Sequence, residues 1–238
     1  MMNTEVTKAL ETLKRYDWGD DLEALKPIDE AIIATHGDAA GRKALEKGLV
    51  DALAGGISRS AQDYVCRKLR VVGASASVAA LAALLPDEKT SHIARYALER
   101  IPDEKAAAAL REALPKVSNK LRPGLIGSLG VRRDAKSIKA IAGFLSDADD
   151  NVARAAARAL ALIGTPVAGR TLRVFGKQAS GTMKMCAGDA CLVCAEQLVA
   201  DGKKGEAMAL YKELRGSTQP TRIKTAAMKG MLGAASGR

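Results

Sequence analysis

Three cysteines fall close together, Cys186, Cys191 and Cys194, in the spacing C-x4-C-x2-C. Thiolates so spaced can hold an iron–sulfur cluster, and two of them one helical turn apart can carry redox chemistry. A cluster needs an irregular backbone that turns the thiolates inward. The surrounding MKMCAGDACLVCAEQLVA reads instead as a helix, on which Cys191 and Cys194 share a face and Cys186 points elsewhere. No fourth ligand is near: His36, His92 and Cys66 lie far along the chain. Core packing is the reading that fits, since a free cysteine behaves as a small buried hydrophobe. The four cysteines form no disulfide framework, which suits a reducing, cytoplasmic compartment. No metal and no cofactor is expected.

The remaining reactive residues assemble no catalytic set. His36 precedes Gly37 at a helix end, and His92 opens the helix that carries Arg95. Asp20-Asp21, Asp87-Glu88, Asp103-Glu104 and Asp147 to Asp150 all sit at turns or helix starts, where negative charge complements the helix dipole. Gly124, Gly127 and Gly130 recur every third residue but follow no strand, so they suit close helix packing rather than a dinucleotide loop. The expectation is a protein that is not an enzyme.

Charge is the stronger signal. With 37 Lys and Arg against 27 Asp and Glu, the chain carries a net charge of +10, which favours acidic proteins, nucleic acid or anionic surfaces as partners. The basic residues are spread along the chain, not gathered in a tail. Arg95, Arg122, Arg154, Lys184 and Arg222 recur at a near-constant offset, and Arg59 extends the series. Two readings stay open. The residues form a stripe that faces a partner, or each pairs with the next repeat as an internal ladder. Arg132-Arg133 sits in a turn and is a candidate exposed pair, and Arg158 lies one turn from Arg154, off the apolar stripe of its helix. Arg67, Lys68 and Arg70 cluster at a helix end.

The elements that must position these residues repeat. Apolar pairs four apart mark the first helix of each unit: Leu81/Leu85, Leu110/Leu114, Ile141/Leu145 and Leu210/Leu214, with Leu172/Phe175 a looser copy. The period is about 30 residues, with a longer last step. Pro86 and Pro115 end their helices. Gly164-Thr165-Pro166 reads as a C-terminal glycine, an N-cap and a first-turn proline. Asp149 or Asp150 caps the next second helix, and Ser217-Thr218-Gln219-Pro220 opens another. In that second helix Val152, Ala155, Ala156, Ala159, Leu162 and Ile163 form one stripe. A single pair cannot bury such a stripe, whereas a stack can. Aromatic residues are 3% of the chain, so the core is alanine and leucine.

The phrase DADDNVARAAARALALIG resembles the HEAT repeat, in the short form of the bilin-lyase type. The matching residues are Asp149, Val152, Arg154 one place late, Ala156, Ala159, Leu160 and Gly164. Residues 73–200 carry the resemblance clearly; 1–72 and 201–238 are divergent repeats added by composition. It implies an all-α, α-α superhelix, a HEAT-like solenoid of about six to seven stacked helical hairpins forming a single domain over 1–238. HEAT-like deoxyhypusine hydroxylases carry His-Glu pairs that this chain lacks, and the tetrapyrrole-binding residues of bilin lyases are not identifiable here. Certain alkylpurine DNA glycosylases share the architecture and basic balance, but their tryptophan-rich site has only Trp18 to answer it. The expected function is a monomeric, non-enzymatic scaffold binding a protein partner, of acidic character, through the concave face. Binding of a nucleic-acid backbone is the alternative, and no segment is apolar enough for a membrane span. The partner-binding candidates are Arg95, Tyr96, Arg122, Arg132, Arg133, Arg154, Arg158, Lys184 and Arg222, with Tyr64, Tyr211 and Trp18 as further aromatic anchors.

Overall fold

Several helix starts in this chain are written by capping side chains. The structure, a computed structural model, describes residues 3–216 and 218–236, and the chain divides into two units, Met1–Leu121 and Arg122–Arg238. In the first unit Asn3 accepts from the Glu5 amide at 3.1 Å and opens α1 (Thr4–Leu13). A 3-10 turn leads into α2 (Lys26–Ala34). Asp38 accepts from the amides of Ala40 and Gly41, both at 3.0 Å, and starts α3 (Ala39–Ala54). Ser58 caps α4 (Arg59–Val72). Then come α5 (Val78–Ala83), α6 (Ser91–Leu98) and α7 (Glu104–Ala113), the last capped by Asp103. Each cap satisfies an amide that has no partner inside its helix.

The second unit repeats the scheme with α8 (Arg122–Val131), α9 (Ile138–Ala142), α10 (Asp150–Ile163), α11 (Pro166–Gln178), α12 (Gly181–Ala200), α13 (Lys204–Gly216) and α14 (Thr221–Ser236). Asp149 caps α10 as its sequence implies, and Thr165 with Pro166 starts α11. Gly164 has φ +62°, and a Cβ there would lie 2.4 Å from Gln197 Cβ. Only glycine meets both demands, so the predicted C-terminal glycine is obligatory. Ser217, part of the predicted start of α14, lies outside the described residues, as do Gly237 and Arg238 at the chain end.

Both units are all-α stacks of helical hairpins, with fourteen α-helices and no strand among the described residues. In the first unit α4 packs against α3 and α6, and α5 against α7; in the second, α10 packs against both α8 and α12, and α14 against α13 and α12. The apolar pairs that set the register are buried: Leu81, Leu85, Leu110 and Ile141 have no exposure, and Leu145, Leu210 and Leu214 have 6% each. Phe175, the looser copy, is half-buried.

The apolar stripe of α10 is wider than the sequence suggested and is displaced. Ala153, Ala157, Leu160 and Ala161 are buried along with Val152, Ala156, Ala159 and Ile163, whereas Ala155 is half-buried and Leu162 is exposed. Flanked by α8 and α12 and backed by α9 and α11, the helix is covered on most of its circumference. An alanine buries one methyl, worth about 0.8 kcal/mol per carbon, so α10 is held by close approach rather than by large side chains.

Gly130 shows how close. A Cβ on it would lie 2.7 Å from Ala159 Cα, against backbone that cannot step aside. Gly127, one turn earlier on α8, has open space at its Cβ position. The three-residue glycine spacing therefore does not mark one continuous contact. Gly130→Ala is predicted to destabilise by ~1–3 kcal/mol through overpacking, and Gly127→Ala to stabilise by up to ~1 kcal/mol through helix propensity. Urea melts followed by circular dichroism check both signs.

Candidate functional site

The basic residues in register divide by what they touch. Arg222 on α14 donates from both terminal nitrogens to Asp189 on α12, at 3.0 and 2.8 Å. Lys184 on α12 donates to Thr218 Oγ1 at 2.6 Å, and its own carbonyl accepts from Gln219 Nε2 at 3.2 Å. Arg59 on α4 donates to the Lys89 carbonyl at 2.8 Å and lies 3.3 Å from His92 Nε2. These are contacts from one hairpin to the next, the ladder arrangement. Arg133 makes the most elaborate one. It has φ +52°, rare for a side chain with a Cβ. It donates from Nε to the Ile163 carbonyl at 3.3 Å and from its terminal nitrogens to both oxygens of Asp201. That single guanidinium ties the α8–α9 turn to the ends of α10 and α12.

The other candidates are placed differently. Arg95 is half-buried, and burial holds its guanidinium below the ordinary arginine value. Beside it Tyr96 is 40% exposed, with the Arg70 guanidinium 4.3 Å from its ring centre. Arg122 stacks 5.3 Å from the Phe144 ring, and Arg132 is half-buried. Arg154 reaches only Asp150 on its own helix, at 3.5 Å. Among the described residues Arg158 has neither an ion-pair nor a hydrogen-bond partner.

Arg154 and Arg158 line a groove of about 630 Å³ between α10 and α12. Helical arithmetic builds it. Arg154, Arg158 and Leu162 are successive steps of four along α10, and Met185, Asp189 and Val193 are the same steps along α12. Leu162 is 36% and Met185 39% exposed. Asp189, the one acidic wall residue, is already held by Arg222. The groove thus offers an apolar wall beside the Arg158 guanidinium, which no carboxylate among the described residues pairs with.

The cysteines occupy three separate surroundings. Cys186 lines the groove. There burial pushes its thiol up, against the opposite pull of Arg154 and Arg158. Cys191 and Cys194 are buried, and desolvation pushes each thiol up to about 12. Cys66 is pushed up to about 12 for the same reason. A neutral buried thiol is a poor nucleophile and a poor ligand. Among the described residues no group of three or more His, Cys, Asp or Glu could hold a metal ion. Tyr64 and Tyr211 are core residues, not surface anchors: Tyr64 donates to the Leu25 carbonyl at 3.1 Å, and the Tyr211 ring fills the space above Gly230. Trp18 is 90% exposed in the turn after α1.

The sequence pattern concealed the acidic halves of these contacts. Asp189 and Asp201 lie within or at the end of a helix rather than at a helix start, so neither carried a signal. Glu46 is 4% exposed on α3. It accepts from the Ala74 amide at 2.7 Å, the Ser77 amide at 3.0 Å and the Ser77 hydroxyl at 2.6 Å, holding the turn that begins α5. A lone Glu inside KALEKGLV reads as a surface residue.

The fold and contacts define a helical-repeat protein, in which stacked hairpins carry inter-repeat ladders and leave a groove between second helices. No family model matches the sequence, and no curated protein matches it. Among solved structures it is similar to the complex of CpcE and CpcF of phycocyanin lyase from Nostoc sp. PCC7120, at 20% identity and TM-score 0.45, over 98% of this chain and 96% of that one. It is also similar to a designed armadillo repeat protein, at 16% identity and TM-score 0.42, over 87% of this chain and 99% of the other. Among the described residues no helix is long and apolar enough to cross a membrane.

The Arg133 contact gives a pH signature. The hydrogen bonds from Arg133 hold the Asp201 carboxyl below its ordinary value of 3.8. A depressed folded-state value means that its stability contribution is present above the ordinary value and is lost as pH falls through the lower folded one. Asp201→Asn is predicted to lower the melting temperature by a few degrees at neutral pH. The gap to wild type should narrow below about pH 4 and close at lower pH. Thermal melts of both proteins across the acid range check it.

Proposed function

We propose that this chain is a non-catalytic helical-repeat scaffold that binds a protein partner, and that the partner lays an acidic, amphipathic segment into the groove between α10 and α12. The observation that carries the reading is the pairing of Arg158, which has no partner among the described residues, with the exposed Leu162 and Met185 beside it. An unneutralised guanidinium next to an apolar wall suits a segment that presents carboxylates on one edge and aliphatic side chains on the other. Arg154 adds to the site at little cost. Its exposed intrahelical pair with Asp150 is worth only ~0.3–0.5 kcal/mol and is readily exchanged for a partner's carboxylate.

A nucleic-acid backbone is the competing occupant, supported by the net charge of +10. It makes weaker use of this groove. Phosphates gain nothing from Leu162, Met185 and Val193, and stacking on bases calls for aromatic residues that the groove lacks. Several ladder cations already have partners in the fold, so the net charge overstates what a backbone would meet.

Fluorescence anisotropy tests the reading with two labelled probes, a helical peptide with Glu and Leu on adjacent faces and a duplex DNA. The peptide is expected to bind in the micromolar range, and Arg158→Glu and Leu162→Glu should each weaken it by about tenfold or more. Binding that survives Leu162→Glu but falls with any charge reversal, and that is matched or exceeded by the DNA with a steep salt dependence, would count against an acidic protein partner and for a backbone binder.

A further inference from the structure

A second concavity in the same unit has a different lining. It lies between α11, α12 and α13 and has a volume of about 440 Å³, within the roughly 300–1,000 Å³ of small-molecule sites. One wall is apolar: Ala187 and Cys191 on α12 face Leu210 and Leu214 on α13. The Cys191 thiol is pushed up to about 12 by burial first and by its neighbours Cys194 and Glu213 next, so that wall carries no charge at neutral pH.

The other wall holds three cations, Arg173, Lys177 and Lys184, against one carboxylate, Glu213. Glu213 is shared. Arg173 Nε lies 3.4 Å and Lys177 Nζ 3.3 Å from its two oxygens. The Arg173 Nε is enclosed, and its ion-pair approach to Glu213 lacks hydrogen-bond geometry. Lys184, whose Nζ reaches the neutral Thr218 hydroxyl at 2.6 Å, has no anionic partner among the described residues. Among the described lining residues, three cations against one carboxylate leave an excess of two positive charges. The glycines in the lining admit their neighbours closely: a Cβ on Gly176 would lie 3.5 Å from Ala187 Cβ. A Cβ on Gly188 would meet Gln219 at 2.9 Å, the residue that donates to the Lys184 carbonyl and holds that turn of α12.

We propose that this cleft binds a small organic anion with an apolar tail, its carboxylate or phosphate taken by Arg173 and Lys184 and its tail laid against Leu210 and Cys191. Such a ligand offsets the excess charge and covers the apolar wall at once. The cleft is separate from the α10–α12 groove and does not depend on what that groove binds.

Isothermal titration calorimetry of the full chain tests this with three probes: sodium octanoate, inorganic phosphate and octyltrimethylammonium. Octanoate is expected to bind at one site per chain, more tightly than phosphate, and the ammonium compound not at all. Lys184→Met and Arg173→Met should each weaken octanoate by about tenfold, while Arg158→Met, which removes a charge from the other groove, leaves it unchanged. Circular dichroism confirms that each variant is folded. The weaker variant Arg173→Lys, which keeps the charge and loses the Nε donor, should fall between wild type and Arg173→Met. Absence of octanoate binding to the folded wild type, equal binding of phosphate, or an equal loss in Arg158→Met would each overturn the assignment.

Discussion

Close approach of small residues between second helices is the constraint on which the second unit depends. Gly130 of α8 meets Ala159 of α10 with no room for a methyl group, and α10 buries five alanines among its eight core positions. With so little side chain between the axes, the hydrophobic contribution per residue is small and must come from many contacts at short range. The same shortness lets a polar side chain on one hairpin reach the next. Arg222 spans from α14 to Asp189, and Arg133 spans from the α8–α9 turn to Asp201. The ladder is thus a consequence of the alanine packing, and it fixes the register that packing by methyl groups alone would leave loosely specified.

That division of labour explains what the excess positive charge is for. Cations that meet a carboxylate or a carbonyl on the neighbouring hairpin are structural, and their charge is largely spoken for inside the fold. Among the described residues Arg158 is the exception on its helix face: Asp189, the acidic residue lining the groove, is already engaged by Arg222. The binding proposed for the groove rests on this mismatch between one hairpin and the next, not on the net charge of the chain as a whole.

The helical hairpins were legible because they are encoded locally. Proline after the first helix, aspartate before the second and glycine at Gly164 each act through their own backbone, so their roles could be read without knowing any neighbour. Leu81/Leu85 and its later copies were legible for a related reason: their spacing is the helix period itself. The site was much less so. Whether Arg222 or Arg158 faces outward depends on what stands about 30 residues away on the adjacent hairpin. Asp189 and Asp201, which decide it, carry no local mark. Leu162 was assigned to the buried stripe because the helical period alone cannot say how much of a helix its neighbours cover. Residue type alone points to Tyr64 and Tyr211 as surface anchors, whereas tertiary packing places both in the core.

The central claim is that the face between α10 and α12, and not the ladder cations, receives the partner. Chemical-shift mapping on the isotopically labelled protein, with an acidic amphipathic peptide added stepwise, tests it most directly. The account predicts shifts that saturate together and concentrate on Arg154, Arg158, Leu162, Met185 and Val193, with the Arg133 side chain undisturbed and the Arg222–Asp189 ion pair at the groove edge intact. Shifts spread evenly over the basic residues, or centred on Arg133 with loss of its ion pair, would contradict it.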